Sequence, residues 1–246
     1  KKSGAFHLST TMCPIHRRDI LNNIRQNLAN GLECRLVSTS LIEAGVDVDF
    51  PCVYRSLAGL DSIIQAAGRC NREGKRTQSE SIVHVFDSDT KIPRALEQNV
   101  CATRHVMDRF NDFTSPEAIE CYFNFLFYTL KDNDALDTKR IMSKHINNMA
   151  FRTASKEFKI IEENTCTVYI PRYGGEELVK RLLCEGPSRE LMRKLGQHAV
   201  SVYEKYFKAL VIEGFIEEVM ELENTAVLRC TNLYDENIGL ALSSDG

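Results

Sequence analysis

Gln65, Arg69 and Arg72 stand four and then three residues apart in the run Gln65-Ala66-Ala67-Gly68-Arg69-Cys70-Asn71-Arg72. On a helix, positions i, i+4 and i+7 share one face, so this spacing predicts a stripe of two guanidiniums and one amide. Such a row of donors matches the oxygens of a phosphate chain. Gly68, at i+3 on the same face, costs about 1 kcal/mol of helix propensity. A glycine there makes sense where a phosphate or another surface must approach closely. Two arginines on a helix are by themselves ordinary solvated residues. They gain meaning from a second stretch, Val37-Ser38-Thr39-Ser40-Leu41-Ile42-Glu43-Ala44-Gly45-Val46-Asp47, where an apolar strand opens into a polar loop.

The elements that must position these residues alternate between short strands and amphipathic helices, the pattern of a parallel α/β sheet. Ala5 to Ser9 reads as a strand running into a Ser-Thr-Thr loop. Pro14 suits the first position of a helix, Ile15, Leu21, Ile24 and Leu28 recur at helical spacing, and Asn30-Gly31 closes it. Arg35–Ser38, Cys52–Tyr54 and Ser81–Phe86 are further strands. A helix capped by Asp61 or Ser62 carries Ile63, Ile64 and Ala67 and is expected to run to about Gly74. Beyond Asp87 the texture becomes helical from about Arg94 to Met149, with Ser115-Pro116-Glu117 a good helix start. Tyr122, Phe123, Phe125, Phe127 and Tyr128 suit core packing better than base stacking. From Phe158 the pattern is mixed: a hairpin of Lys159–Ile161 and Thr167–Ile170 around Glu163-Asn164, helices at 175–184 and 188–199, and strands near 215–222 and 226–230. The expected organisation is a partial RecA-like α/β domain over 1–90, a helical linker over 91–150 and a small α+β accessory domain over 151–246.

Composition narrows the function classes. The chain has 246 residues, 43% hydrophobic and 26% charged, ordinary for a globular protein. No apolar run of about 18 residues occurs, so neither a membrane span nor a signal peptide is expected. The net charge of −3 argues against a wholly basic nucleic-acid coat. Residues 1–86 hold 11 Lys+Arg against 8 Asp+Glu, and the remainder 20 against 26, so any nucleic-acid grip is local and lies in the first part. Nine scattered cysteines without a paired spacing suggest reduced, mostly buried thiols and a cytoplasmic location. The six histidines are dispersed, and no metal site is expected.

Thr39, then Gly45 and Asp47, with Gln65-x-x-Gly68-Arg69-x-x-Arg72 downstream, resembles motifs V and VI of superfamily 2 helicases. Leu8-Ser9-Thr10, Cys13-Pro14 and His16-Arg17, with the wording of the two motif stretches, resemble more narrowly the CRISPR-associated helicase-nuclease of type I interference systems. Tyr169-Ile170-Pro171, Tyr234-Asp235 and Gly239-Leu240 resemble that family's C-terminal domain. The resemblance implies that Ser9 or Thr10 and Thr39 touch the DNA backbone, that Gly45, Asp47 and Gly68 line ATP, and that Gln65 sits by the γ-phosphate. Arg69 and Arg72 are implied to be arginine fingers reaching ATP held by a partner domain, with Mg²⁺. It also implies ATP-driven 3′-to-5′ translocation on single-stranded DNA, recruitment by an RNA-guided surveillance complex, and a separate nuclease domain.

Within the chain there is no G-x-x-x-x-G-K-[ST] phosphate loop, no Asp-Glu-x-His box and no His-Asp dipeptide. By itself this piece is expected neither to hydrolyse ATP nor to cut DNA. Two alternatives stay open: another superfamily 2 helicase acting on DNA or RNA, and a non-catalytic docking or lid module of such a motor.

Overall fold

A computed structural model of the chain describes residues 4–129, 137, 139–158 and 165–242. They form two compact units, Lys1–Ile42 with Glu163–Gly246, and Glu43–Glu162. The first strands pack with the C-terminal part within one unit.

In the first unit, β1 (Ala5–Leu8) and β2 (Arg35–Ser38) pair in parallel, Leu8 opposite Ser38. α1 (Pro14–Ala29) makes the crossover and buries His16, Ile20 and Ile24 at four-residue spacing. It begins at Pro14 and closes at Asn30, followed by Gly31 at φ 65°, the ends anticipated from those residues. A four-stranded sheet has the order β6-β5-β8-β7, formed by β5 (Thr165–Tyr169), β6 (Ala199–Tyr203), β7 (Ile216–Glu218) and β8 (Thr225–Leu228). β5 runs parallel to β8, and the other pairings are antiparallel.

Period-two alternation assigns this sheet's side chains to two cores. Tyr169 and Val227 join Val179, Leu182, Leu191 and Leu195 of α7 (Glu176–Glu185) and α8 (Arg189–Leu195). Val168, Ala226 and Leu228 join Phe207 and Leu210 of α9 (Glu204–Ile212), together with Cys13, Tyr234 and Leu240. The last two lie in a small antiparallel hairpin of β9 (Tyr234–Asp235) and β10 (Gly239–Leu240). The helix expected over 188–199 stops at Leu195, and Ala199–Tyr203 is a strand because Val200 and Val202 alternate into the core. The expected strand Lys159–Ile161 and its turn at Glu163-Asn164 lie outside the described residues.

In the second unit, β3 (Cys52–Ser56) and β4 (Ile82–Phe86) pair in parallel through α2 (Leu60–Ala67). α3 (Glu97–Met107), α4 (Pro116–Asn124), α5 (Ile141–Ile146) and α6 (Phe151–Glu157) follow. Ser115 caps α4 as expected, its hydroxyl accepting from the Ala118 N–H at 3.2 Å. Tyr122 is buried with Leu60, Ala102, Val106, Ala118 and Leu126, which bears out core packing, whereas Tyr128 stands exposed. The Tyr122 hydroxyl donates to Asp61 Oδ1 at 2.9 Å and accepts from Asn99 Nδ2 at 3.2 Å. Burial first, then the Asp61 carboxylate, pushes its pKa up to about 12.

α2 departs from expectation at both ends. Asp61 and Ser62 are occupied with Tyr122 and Glu43, so Gly59 caps the helix. At its other end the helix stops at Ala67 rather than near Gly74, with Gly68 as its C-cap. The backbone there is captured by a distant partner: Phe50 N–H donates to the Arg69 carbonyl and Asn71 N–H to the Phe50 carbonyl, both at 2.9 Å. Asn71 then turns left-handed at φ 49°.

Candidate functional site

Arg69 and Arg72 therefore do not share a helical face with Gln65. Gln65 and Gly68 are exposed, while Arg69 is 8% exposed and turned inward. Arg69 Nη2 donates to the Glu43 carbonyl at 2.7 Å, which ties it to the polar loop after Ile42. Arg72 keeps 43% of its side chain exposed and pairs through Nε with Asp47 Oδ1 at 2.8 Å. Its backbone N–H donates to Asp49 Oδ1 at 2.7 Å, and Asp49 also pairs with Arg76 at 2.9 Å. The two motif stretches thus meet through Glu43–Arg69 and Asp47–Arg72, by loop contacts rather than helix periodicity. Gly45 supplies the bend between them at φ 71°, in open space, so its role is conformational and not one of clearance.

Beneath these contacts lies a network that sequence reasoning missed. Glu43 Oε1 pairs with Arg55 Nη2 at 3.0 Å, and its Oε2 accepts from Ser62 Oγ at 2.8 Å. Arg55 Nη2 also donates to Ser62 Oγ at 2.9 Å. The two charged side chains are 10% and 23% exposed, so water screens them little. The only hint in the sequence was an acid directly after Leu41-Ile42, among small and apolar neighbours.

The residues expected at DNA gather at one end of the β1–β2 pair. Thr39 N–H donates to the Leu8 carbonyl at 3.2 Å, which sets Thr39 beside the loop that begins at Ser9. Both lie beyond the carboxyl ends of parallel strands, where open α/β sheets place ligands. Thr39 and Thr10 are exposed; Ser9 is buried, its hydroxyl 2.6 Å from that of Thr11.

This loop is fastened to the C-terminal hairpin. Tyr234 Oη accepts from Cys13 N–H at 3.0 Å and lies 2.9 Å from His16 Nδ1. The other nitrogen, Nε2, lies 3.1 Å from the Glu236 carbonyl, which can only accept, so Nε2 carries the proton. Neutral His16 then presents Nδ1 as an acceptor to the Tyr234 hydroxyl, whose proton also has Cys13 Sγ within reach at 3.4 Å. Burial lowers the His16 pKa against the pull of Glu236, Asp19 and Asp235, and raises that of Tyr234. Tyr173 stacks on His16 with ring centroids 4.6 Å apart.

Among the described residues, no group of three or more His, Cys, Asp or Glu side chains is placed to hold a metal, and no helix is long and apolar enough to cross a membrane. The nine cysteines are free thiols. The expectation that they are mostly buried is corrected: only Cys13 and Cys166 are, because most of the others sit on short edge strands, helix surfaces or loops.

Residues 3–75 match the family model described as CRISPR-associated nuclease/helicase Cas3, C-terminal. Over 61 residues the chain is 65% identical to the nuclease/helicase Cas3 of Haloferax volcanii. Residues 3–75 are thus similar to the C-terminal part of Cas3. The Haloferax match covers 24% of this chain and 6% of that protein. Cas3 of Methanothermobacter thermautotrophicus is 32% identical over 80 residues, 31% of this chain and 10% of that protein. In fold, the chain resembles T. fusca Cas3-ATP with a TM-score of 0.56 at 15% identity, over 91% of this chain and 32% of that one. It also resembles a chain of a CRISPR RNA-guided surveillance complex in a pre-nicking state, with a TM-score of 0.51 at 15% identity, over 92% and 34%. The fold likeness therefore extends past residue 75 to both units, while the chain spans about a third of those structures.

Proposed function

We propose that this chain supplies the trans-acting half of an ATP site, and part of the DNA grip, of a Cas3-type motor moving 3′ to 5′ on single-stranded DNA. Arg72 is the finger in this reading. Its charge is half exposed, and its partner Asp47 is 81% exposed. Exposed ion pairs are worth only about 0–1 kcal/mol, so Arg72 can leave Asp47 for a γ-phosphate at little cost. Arg69 positions the loop through the Glu43 carbonyl, Gly45 and Asp47 line the nucleotide near its ribose, and Gln65 and Gly68 face the phosphates. These donors suit one wall of a nucleotide site; Mg²⁺ and the phosphate loop belong to a partner domain, so the chain alone is inactive. Residues 1–90 act as the motor portion, 91–150 as linker and 151–246 as accessory domain. Recruitment by an RNA-guided surveillance complex and DNA cleavage by a nuclease domain belong to the same reading.

The observation that carries it is the joining of the two motif stretches through Asp47–Arg72 with the guanidinium left accessible. It is tested on the full-length protein by streptavidin displacement from biotinylated single strands. ATP should drive displacement from a 5′ biotin and not a 3′ biotin, and Arg72→Ala should abolish it. Displacement that persists in the variant removes the finger assignment, and none with the unaltered protein favours a docking or lid module.

A further inference from the structure

The C-terminal hairpin holds two residues of the segment that follows β1, Thr11 and Cys13. Thr11 Oγ1 donates to the Ile238 carbonyl at 2.6 Å, Leu240 N–H donates to the Thr11 carbonyl at 2.9 Å, and Cys13 N–H donates to Tyr234 Oη at 3.0 Å. A Met12 N–H to Ser9 carbonyl bond closes the turn at 3.3 Å. Gly239 is at φ +85° and so close that a Cβ there would lie 2.5 Å from the Thr11 carbonyl oxygen. The hairpin backbone therefore rests directly on the loop.

A proton count gives this contact a direction. A hydroxyl has one proton, and a carbonyl oxygen can only accept. The Thr11 proton is committed to Ile238, so the 2.6 Å contact between Thr11 and Ser9 is made by the Ser9 proton. Buried Ser9 is thus spent as a donor inside the loop and has no proton for a phosphate oxygen. Thr10, between the two, is the exposed residue of the three.

We infer that the hairpin Tyr234–Leu240 is a positioning device for the DNA-contacting loop: through Thr11 it orients the Ser9 hydroxyl inward and leaves Thr10 as the phosphate donor beside Thr39. This rests on the reading of that loop as a DNA contact. Thr11 and Ser9 are positioning residues. The linkage makes nucleic-acid affinity depend on a segment more than 220 residues away in the chain.

The test uses the full-length protein and an oligo-dT strand, reading the strand concentration that half-stimulates ATP hydrolysis, kcat at saturating strand, and the melting midpoint. Thr11→Val keeps the shape and removes the hydroxyl, whereas Thr11→Ser keeps it. Thr11→Val should raise the half-stimulating concentration about three- to tenfold, the factor one hydrogen bond carries. It should leave kcat within twofold, and Thr11→Ser should match the unaltered protein. An unchanged half-stimulating concentration in Thr11→Val, or a lowered kcat or melting midpoint as its sole effect, overturns the proposal. Thr10→Val and Thr39→Val separate the two layers. If both leave the half-stimulating concentration unchanged, the DNA-contact reading fails and the positioning role with it. If they raise it while Thr11→Val does not, only the positioning role fails.

Discussion

Replacing Tyr234 by Phe removes one oxygen from the most buried polar junction of the first unit. The ring is 1% exposed, so water does not take the hydroxyl's place without opening the core. Two groups lose their partner: the Cys13 N–H at 3.0 Å and the His16 Nδ1 acceptor at 2.9 Å. A buried polar group left unpaired costs about 1–3 kcal/mol, and the two are neighbours whose losses overlap, so the total should be about 2–4 kcal/mol. Urea denaturation followed by far-UV circular dichroism measures it, with Tyr54→Phe, at an exposed position of β3, as a control expected within about 0.5 kcal/mol. A Tyr234→Phe loss indistinguishable from that control would refute the reading of this hydroxyl as the buried partner of both groups.

His16 makes the same junction sensitive to acid. Burial depresses its folded pKa below the ordinary value of 6.5, so between the two values the unfolded chain binds the proton that the folded chain refuses. Stability should be full above pH 6.5 and decline as pH falls through it; His16→Gln should flatten the change in melting midpoint between pH 7.5 and 5.5, and an equal slope in both proteins would contradict this. Glu43→Ala leaves Arg55 poorly exposed without its carboxylate and should destabilise by about 1–3 kcal/mol in urea, less than a fully buried pair because Arg55 retains some solvent. A neutral result would show that the Glu43–Arg55–Ser62 network holds nothing together. Asp47→Asn in the full-length protein should raise the KM for ATP about tenfold with kcat changed less than threefold, in keeping with loss of one charge-assisted contact. A large fall in kcat at unchanged KM would place Asp47 in the chemistry instead.

How much was legible depended on whether the determinant was local. The ends of α1 were readable because Pro14 and Asn30-Gly31 punctuate it, but of the apolar residues expected on its face only Ile24 is buried, beside His16 and Ile20. The cap at Ser115 needed only the three residues that follow it. α2 misled because Gln65, Arg69 and Arg72 keep helical spacing, while the event that ends the helix is Phe50 capturing the backbone from some twenty residues upstream. β6 carried its own signal, the alternation of Val200 and Val202, but the helix expected over 188–199 took its first residue and the rest of the strand went unassigned. The union of the first strands with the C-terminal sheet rests on Cys13, His16 and Tyr234, which meet across more than 210 residues, and no spacing rule reports such a contact. The motif residues themselves were visible, since their order is chemical. Which arginine points outward was not, because that is decided by the Glu43 carbonyl and the Asp47 carboxylate.

In the proposed function, Arg72 acts on a nucleotide held elsewhere. Steady-state ATP hydrolysis by the full-length protein, with saturating single-stranded DNA, tests it in the Arg72→Ala variant. A finger that stabilises the transition state contributes on the order of 10³–10⁵ in rate, so kcat should fall by at least about 10³ while ATP affinity, read by a fluorescent nucleotide, changes little. Turnover within tenfold of the unaltered protein would contradict the account.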